Sequence, residues 1–145
     1  MAAVVLKNQL NAHVASMFTA GFLDNQFKEL QMLQDDGSSP GFVREVVGLF
    51  LDDAERIVGE IAVLLDQPVV DFDKVDACVH QLKGSSSSVG AQRVKLSCSQ
   101  FRSYYEEKNR DGCIMALAVL RNEFYDTRSN FQIMFQLEQQ IEACS

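Results

Sequence analysis

Asp71 to Gly90, DFDKVDACVHQLKGSSSSVG, decides the kind of fold this chain makes. At 100° per residue, Phe72, Val75, Val79, Leu82, Ser86 and Val89 share one face, the spacing of a helix that turns one side to a core. His80 sits 100° round from Val79, so the packing stripe does not claim it. Lys83, Gly84 and Ser87 follow His80 at i+3, i+4 and i+7, on the imidazole side. Gly84 costs a helix roughly 1 kcal/mol relative to Ala, and Ser85 to Ser88 are middling helix formers, so a Ser-rich loop is the alternative reading. The apolar spacing continues to Val89, however, and Gly90 stands where a C-terminal stop belongs. Asp71 is placed to cap the helix, with Asp73 and Asp76 near its positive end. An absent side chain at Gly84, one turn beyond His80, leaves room for a partner to approach the imidazole.

The same period of three to four runs outward in both directions. A first helix is expected from about Ala3 to Met17, with Leu6, Leu10, His13 or Val14, and Met17 on one side. A second is expected from about Gly21 to Gln34, with Leu23, Phe27 and Leu30 on one face. Asp35 to Gly41 is rich in turn formers and breaks it. A third runs from about Gly41 to Leu65, with an apolar face broad enough to touch more than one neighbour, and Asp66-Gln67-Pro68 closes it. Beyond Gly90, a fifth helix from about Gln92 to Lys108 carries Val94, Cys98, Phe101 and Tyr105 inward. A reversal at Asn109 to Gly112 leads to a sixth from about Cys113 to Glu142, striped by Leu117, Leu120, Phe124, Thr127, Phe131, Met134 and Ile141. The expected fold is all-α. Residues of about 41–142 form an antiparallel up-down four-helix bundle, and two additional N-terminal helices over about 1–35 flank it, all in one domain of 145 residues.

Composition narrows the function. The formal charge is −7, which argues against nucleic acid as a partner, since a polyanion needs a basic footprint. Between Lys83 and Arg110, six basic residues face two acidic ones, so this stretch carries +4 and the rest −11. Such an island either steers an acidic partner or is an ordinary solvated face. No apolar run is long enough to span a membrane, and no basic leader precedes the first apolar residues, so neither a membrane span nor a secretory signal is expected. Cys78, Cys98, Cys113 and Cys144 lack CxxC spacing and read as reduced packing residues of an intracellular protein, not a zinc site.

No hydrolase triad, G-x-S-x-G elbow or phosphate-binding GxxxxGK[ST] loop is present, so the chain is not expected to be an enzyme that uses ATP by itself. The run His80-Gln81-Leu82-Lys83-Gly84-Ser85-Ser86-Ser87-Ser88-Val89-Gly90-Ala91 instead resembles the signature of histidine-containing phosphotransfer (HPt) proteins. Its KGSS and VGA are similar to the plant proteins of cytokinin relays. The resemblance implies a phosphoacceptor at His80 attacking through Nε2, with Lys83 and Gly84 facing the partner. It also implies receiver domains of hybrid sensor histidine kinases and of response regulators as partners, any Mg²⁺ lying in the receiver and none in this chain, and a cytoplasmic and nuclear protein.

Imidazoles titrate near about 6.5 and are largely neutral at cytosolic pH, so a ring nitrogen has its lone pair available. Lys83 adds a compact cation one turn away. Further partner-facing candidates are Gln81, Ser87 and Asp76, the last also placed to hold the other ring nitrogen, while Leu23 and Phe27 are candidates for an apolar docking patch. His13 lacks the Lys-Gly-Ser neighbourhood and reads as a helix-face residue. A monomer is expected, because one exposed histidine needs no second copy. The alternatives are a helical adaptor that binds receiver or kinase domains without carrying phosphate, and the phosphoacceptor part of a histidine kinase, which would need an ATP-binding domain after it.

Overall fold

The computed structural model describes residues 1–37 and 40–144, so Ser38 and Ser39 of the expected loop lie outside the described residues. These contain seven helices: α1 (Ala2–Thr19), α2 (Asn25–Asp35), α3 (Phe42–Leu65), α4 (Phe72–Val89), α5 (Gln92–Ser99), α6 (Arg102–Glu106) and α7 (Arg110–Ala143). Helices α3, α4, α5 and α7 pack in a ring, each on the next, which is the expected four-helix bundle. Helix α1 lies along α7, and α2 rests on α4 and α3. Phe27 of α2 is fully buried, with its ring 5.9 Å from that of Phe131 in α7. A buried Phe of this kind stabilises by roughly 1.5–3 kcal/mol.

Helix α4 forms despite its serines because Val75, Val79, Leu82 and Val89 are buried along its inner face, and the serine hydroxyls find acceptors within it. Ser85, Ser86 and Ser88 donate to the carbonyls of Gln81, Leu82 and Gly84 at 2.8, 2.7 and 3.1 Å. The loop alternative is thereby excluded. The Asp71 carboxylate accepts from the Lys74 N–H at 3.2 Å at one end. At the other, Gly90 adopts the left-handed conformation, with φ 74°. A Cβ at Gly90 would come within 2.5 Å of the Phe27 backbone nitrogen, so this glycine is required by close approach as well as by φ. The two connectors meet there. Asp24 N–H donates to Gly90 C=O at 3.1 Å, Gln92 N–H donates to Phe22 C=O at 3.0 Å, and Leu23 pairs with Ala91 in an isolated β-bridge.

Two expected boundaries are corrected. The fifth helix is not continuous to Lys108. At Gln100 and Phe101 the backbone bonds shift to i−3, with Gln100 N–H donating to Ser97 C=O and Phe101 N–H to Cys98 C=O, both 3.2 Å. The Ser97 and Ser99 hydroxyls compete for the carbonyls of Arg93 and Lys95, at 2.9 and 3.4 Å, which weakens the ladder just before the break. Phe101 is fully buried at the break, and α6 begins at Arg102. The reversal before the last helix also comes earlier than expected. Lys108 makes it, with φ 54°, and Asn109 is already the cap, accepting from Gly112 N–H at 2.9 Å.

Candidate functional site

His80 projects from the middle of α4, with 74% of its side chain exposed. The core takes Val75, Val79, Leu82, Ser86 and Val89 from the same helix, so α4 is anchored along its length while the imidazole stands clear. His80 Nδ1 lies 3.1 Å from Asp76 Oδ1, one turn earlier. That oxygen is closed off from solvent and has no well-aligned donor, because the imidazole approaches off the axis of an ideal hydrogen bond. No hydrogen bond to His80 Nε2 is present among the described residues.

One flank of the imidazole is a cavity of about 390 Å³ lined by Phe72, Asp73, Asp76, His80, Arg102, Tyr105, Glu106 and Lys108. Arg102 pairs with Glu106 at 2.9 Å, and the guanidinium is exposed. Tyr105 lines this cavity together with Asp76, and the phenol's pKa is pushed up to about 12, first by desolvation and then by that carboxylate. On the opposite flank an apolar groove between α3 and α4, with a cavity of about 680 Å³, is lined by Gly59, Val63, Leu64, Ala77 and Cys78, with Arg56, Glu60 and Lys74 at its polar edge. His80 therefore stands between a charged hollow and an apolar one.

The other expected site residues divide into two groups. Lys83, Gly84 and Gln81 are exposed on α4, and Ser87 is half-buried. Nothing lies within 4 Å of where a Gly84 Cβ would be, so no packing explains the glycine and the space beyond it is open. Lys83 leans towards α5, where its charge partly offsets the effect of burial that pushes the Cys98 thiol up to about 12. Asp76 is half-exposed, with Oδ1 turned towards His80 and closed off from solvent, so one carboxylate oxygen belongs to the site's own framework.

Leu23 and Phe27 do not form a docking patch. They are 2% and 0% exposed, because the face of α2 that carries Phe27 is the one that packs on the bundle. The exposed apolar surface beside His80 is the α3–α4 groove. The basic island is likewise only partly available. Arg93 donates from Nε to Ala20 C=O at 3.0 Å, lies 4.0 Å over the Phe22 ring and approaches Glu123 at 3.6 Å, so it ties α5 to the α1–α2 connector and to α7. His13 is a packing residue, with Nε2 2.8 Å from the Asn130 carbonyl of α7.

Sequence periodicity missed Tyr105 as a site residue, because a straight fifth helix puts it in the core stripe with Phe101. Its only signal was the serine pair, Ser97 and Ser99, ahead of the break.

Residues 45–143 match the Hpt domain. The chain is 66% identical over 143 residues to histidine-containing phosphotransfer protein 2 of rice, Oryza sativa subsp. japonica, covering 99% of this chain and 96% of that protein. The crystal structure of a histidine-containing phosphotransfer protein from maize superposes with a TM-score of 0.91 at 70% identity, covering 94% of this chain and 99% of that one. A relative named pseudo histidine-containing phosphotransfer protein 6, from Arabidopsis thaliana, is also 41% identical over 136 residues, covering 93% of this chain and 88% of that protein. Similarity along the bundle thus extends both to proteins named histidine-containing phosphotransfer proteins and to proteins named pseudo histidine-containing phosphotransfer proteins. With the match spanning α3 to α7 and His80 exposed at the centre of α4, the chain belongs to the Hpt family of histidine-containing phosphotransfer proteins.

Proposed function

We propose that this protein is a phosphorelay intermediate of a multistep two-component system. His80 takes a phosphoryl group from the receiver-domain aspartate of a hybrid sensor histidine kinase and passes it to the aspartate of a response regulator, in cytokinin signalling as the HQLKGSSSSVGA resemblance implies. The observation that carries the reading is an imidazole 74% exposed, with Nδ1 against Asp76 and Nε2 open to solvent. The Nε2 lone pair attacks phosphorus as the acyl-phosphate oxygen–phosphorus bond breaks, and the donor carboxylate leaves with that electron pair. The Nδ1 proton stays in place, so the phosphoimidazole is cationic beside the Asp76 carboxylate. Onward transfer reverses these steps. Phosphoryl transfer of this kind depends mainly on positioning and charge stabilisation.

Lys83 supplies a mobile cation to the phosphoryl oxygens, and Gly84 admits the receiver's rim. The α3–α4 groove receives the receiver's apolar surface, in the place first sought at Leu23 and Phe27, because it is the exposed apolar surface continuous with Ala77 and Cys78 beside His80. The Mg²⁺ that assists transfer belongs to the receiver's acidic pocket. The chain acts as a monomer, in the cytoplasm and the nucleus, and as a carrier rather than a kinase.

The test is transfer from a ³²P-labelled receiver domain to the wild type and to His80→Gln, with helicity followed by circular dichroism. Acid-labile label on the wild type and none on the folded variant is expected. Equal labelling of both would move the acceptor elsewhere. Binding without labelling would favour the adaptor, a reading kept in view by the similarity to a relative named a pseudo histidine-containing phosphotransfer protein.

A further inference from the structure

Tyr105 lies in α6, on the far side of the Gln100–Phe101 break, and shares the cavity beside α4 with Asp76 and His80. An aspartate on a helix surface ordinarily keeps its side-chain freedom and faces water. Here Oδ1 is closed off from solvent and lies 3.1 Å from His80 Nδ1, while the phenol of a different helix lines the same cavity. The three groups therefore share one cavity, in which the buried Oδ1 of Asp76 is an acceptor without a hydrogen-bond partner. The proton of an imidazole resides on whichever nitrogen has an acceptor, and a partner behind that acceptor fixes its orientation.

We propose that Tyr105 is a positioning residue for phosphotransfer, anchoring Asp76 so that His80 carries its proton on Nδ1 and presents the Nε2 lone pair to the incoming phosphoryl group. This rests on the His80 reading and adds to it the device that selects the nitrogen. Tyr105 acts only as a donor at any physiological pH, since desolvation and the neighbouring carboxylate push its pKa up to about 12. Donation then runs inward from both ends, from the phenol O–H and from the Nδ1–H, and leaves Nε2 unprotonated. When Nε2 is phosphorylated, the ring becomes cationic and Asp76, already held in place, balances it. Arg102 and Lys108 also line the cavity, and Arg102 is engaged by Glu106 at 2.9 Å. Without the phenol, Asp76 is free to turn towards these cations or to water.

The experiment reads the tautomer and the rate together. His80 in ¹⁵N-histidine-labelled protein is followed by two-bond ¹⁵N–¹H NMR at a pH where the ring is neutral, and transfer from a ³²P-labelled receiver is timed on the same samples. Tyr105→Phe keeps the ring and removes only the oxygen. It is expected to move His80 from the Nδ1–H towards the Nε2–H form and to slow transfer about three- to tenfold, the range for the net contribution of one hydrogen bond, with receiver affinity unchanged. Asp76→Asn should produce the same tautomer shift, and Tyr105→Phe should add nothing in that background. A wild-type tautomer and rate in Tyr105→Phe would overturn the proposal, as would an undiminished Tyr105→Phe effect in the Asp76→Asn background. Failure of the His80 reading would look different, as label absent from the wild type or persisting in His80→Gln.

Discussion

The two histidines of this chain sit on helices of similar length and have opposite fates. His13, half-buried on α1, has its Nε2 2.8 Å from a backbone carbonyl of α7 and is held there. His80, on α4, has Nδ1 against a carboxylate from its own helix and leaves Nε2 to solvent. A ring nitrogen engaged by the fold is unavailable for attack, whereas one left to solvent keeps its lone pair accessible. The two histidines thus differ both in exposure and in which nitrogen the fold employs, and His80 is the candidate acceptor on both counts.

The largest expected effect sharpens that contrast directly. His80→Gln should reduce labelling from a phosphorylated receiver to background while the melting curve stays near wild type, whereas His13→Gln should remain fully labelled. Labelling lost in His13→Gln with the fold intact would break the distinction.

Next in size is Gly84→Gln. Its side chain enters open space, so docking should weaken about tenfold, equivalent to about 1.4 kcal/mol. The melting temperature should rise at the same time, because Gln is a better helix former than Gly. A variant that transfers normally would remove the access role. Lys83→Ala should slow transfer or shorten the phosphohistidine lifetime about two- to fivefold, the range for an exposed charge interaction. The phosphorylation time course and its decay check this, and unchanged values would take Lys83 out of the mechanism. The smallest effect belongs to the packing histidine, where His13→Gln should lower stability by about 1 kcal/mol in urea unfolding, the net contribution of one hydrogen bond.

Most of the bundle was legible because its helices carry uninterrupted apolar periodicity. Val43, Val47, Phe50, Ala54, Ile57 and Ile61 in α3, and Leu117, Leu120, Phe124, Phe131 and Met134 in α7, are all buried as their spacing predicts. His80, Lys83 and Gly84 were legible for the complementary reason, since the stripe of α4 leaves them outside it. Leu23 and Phe27 misled because an apolar residue near a site reads equally well as a patch or as core, and only the seating of α2 on α4 and α3 distinguishes these. Arg93 misled similarly. Counted as a free positive charge in the sequence, it is spent on a carbonyl and an aromatic ring of the α1–α2 connector and on a glutamate of α7.

By itself the sequence determined the helices, their polarity, the capped motif helix and the histidine it exposes, because these follow from local spacing and from caps a few residues away. Only the tertiary structure decided that the fifth helix breaks at Gln100 and Phe101 and that Tyr105 shares a cavity with Asp76 and His80 of α4. That cavity brings together residues 29 positions apart on two helices that pack on each other, with Phe101 buried at the break between α5 and α6. No local propensity encodes such a juxtaposition, because it is settled by the fit of whole helices in the core.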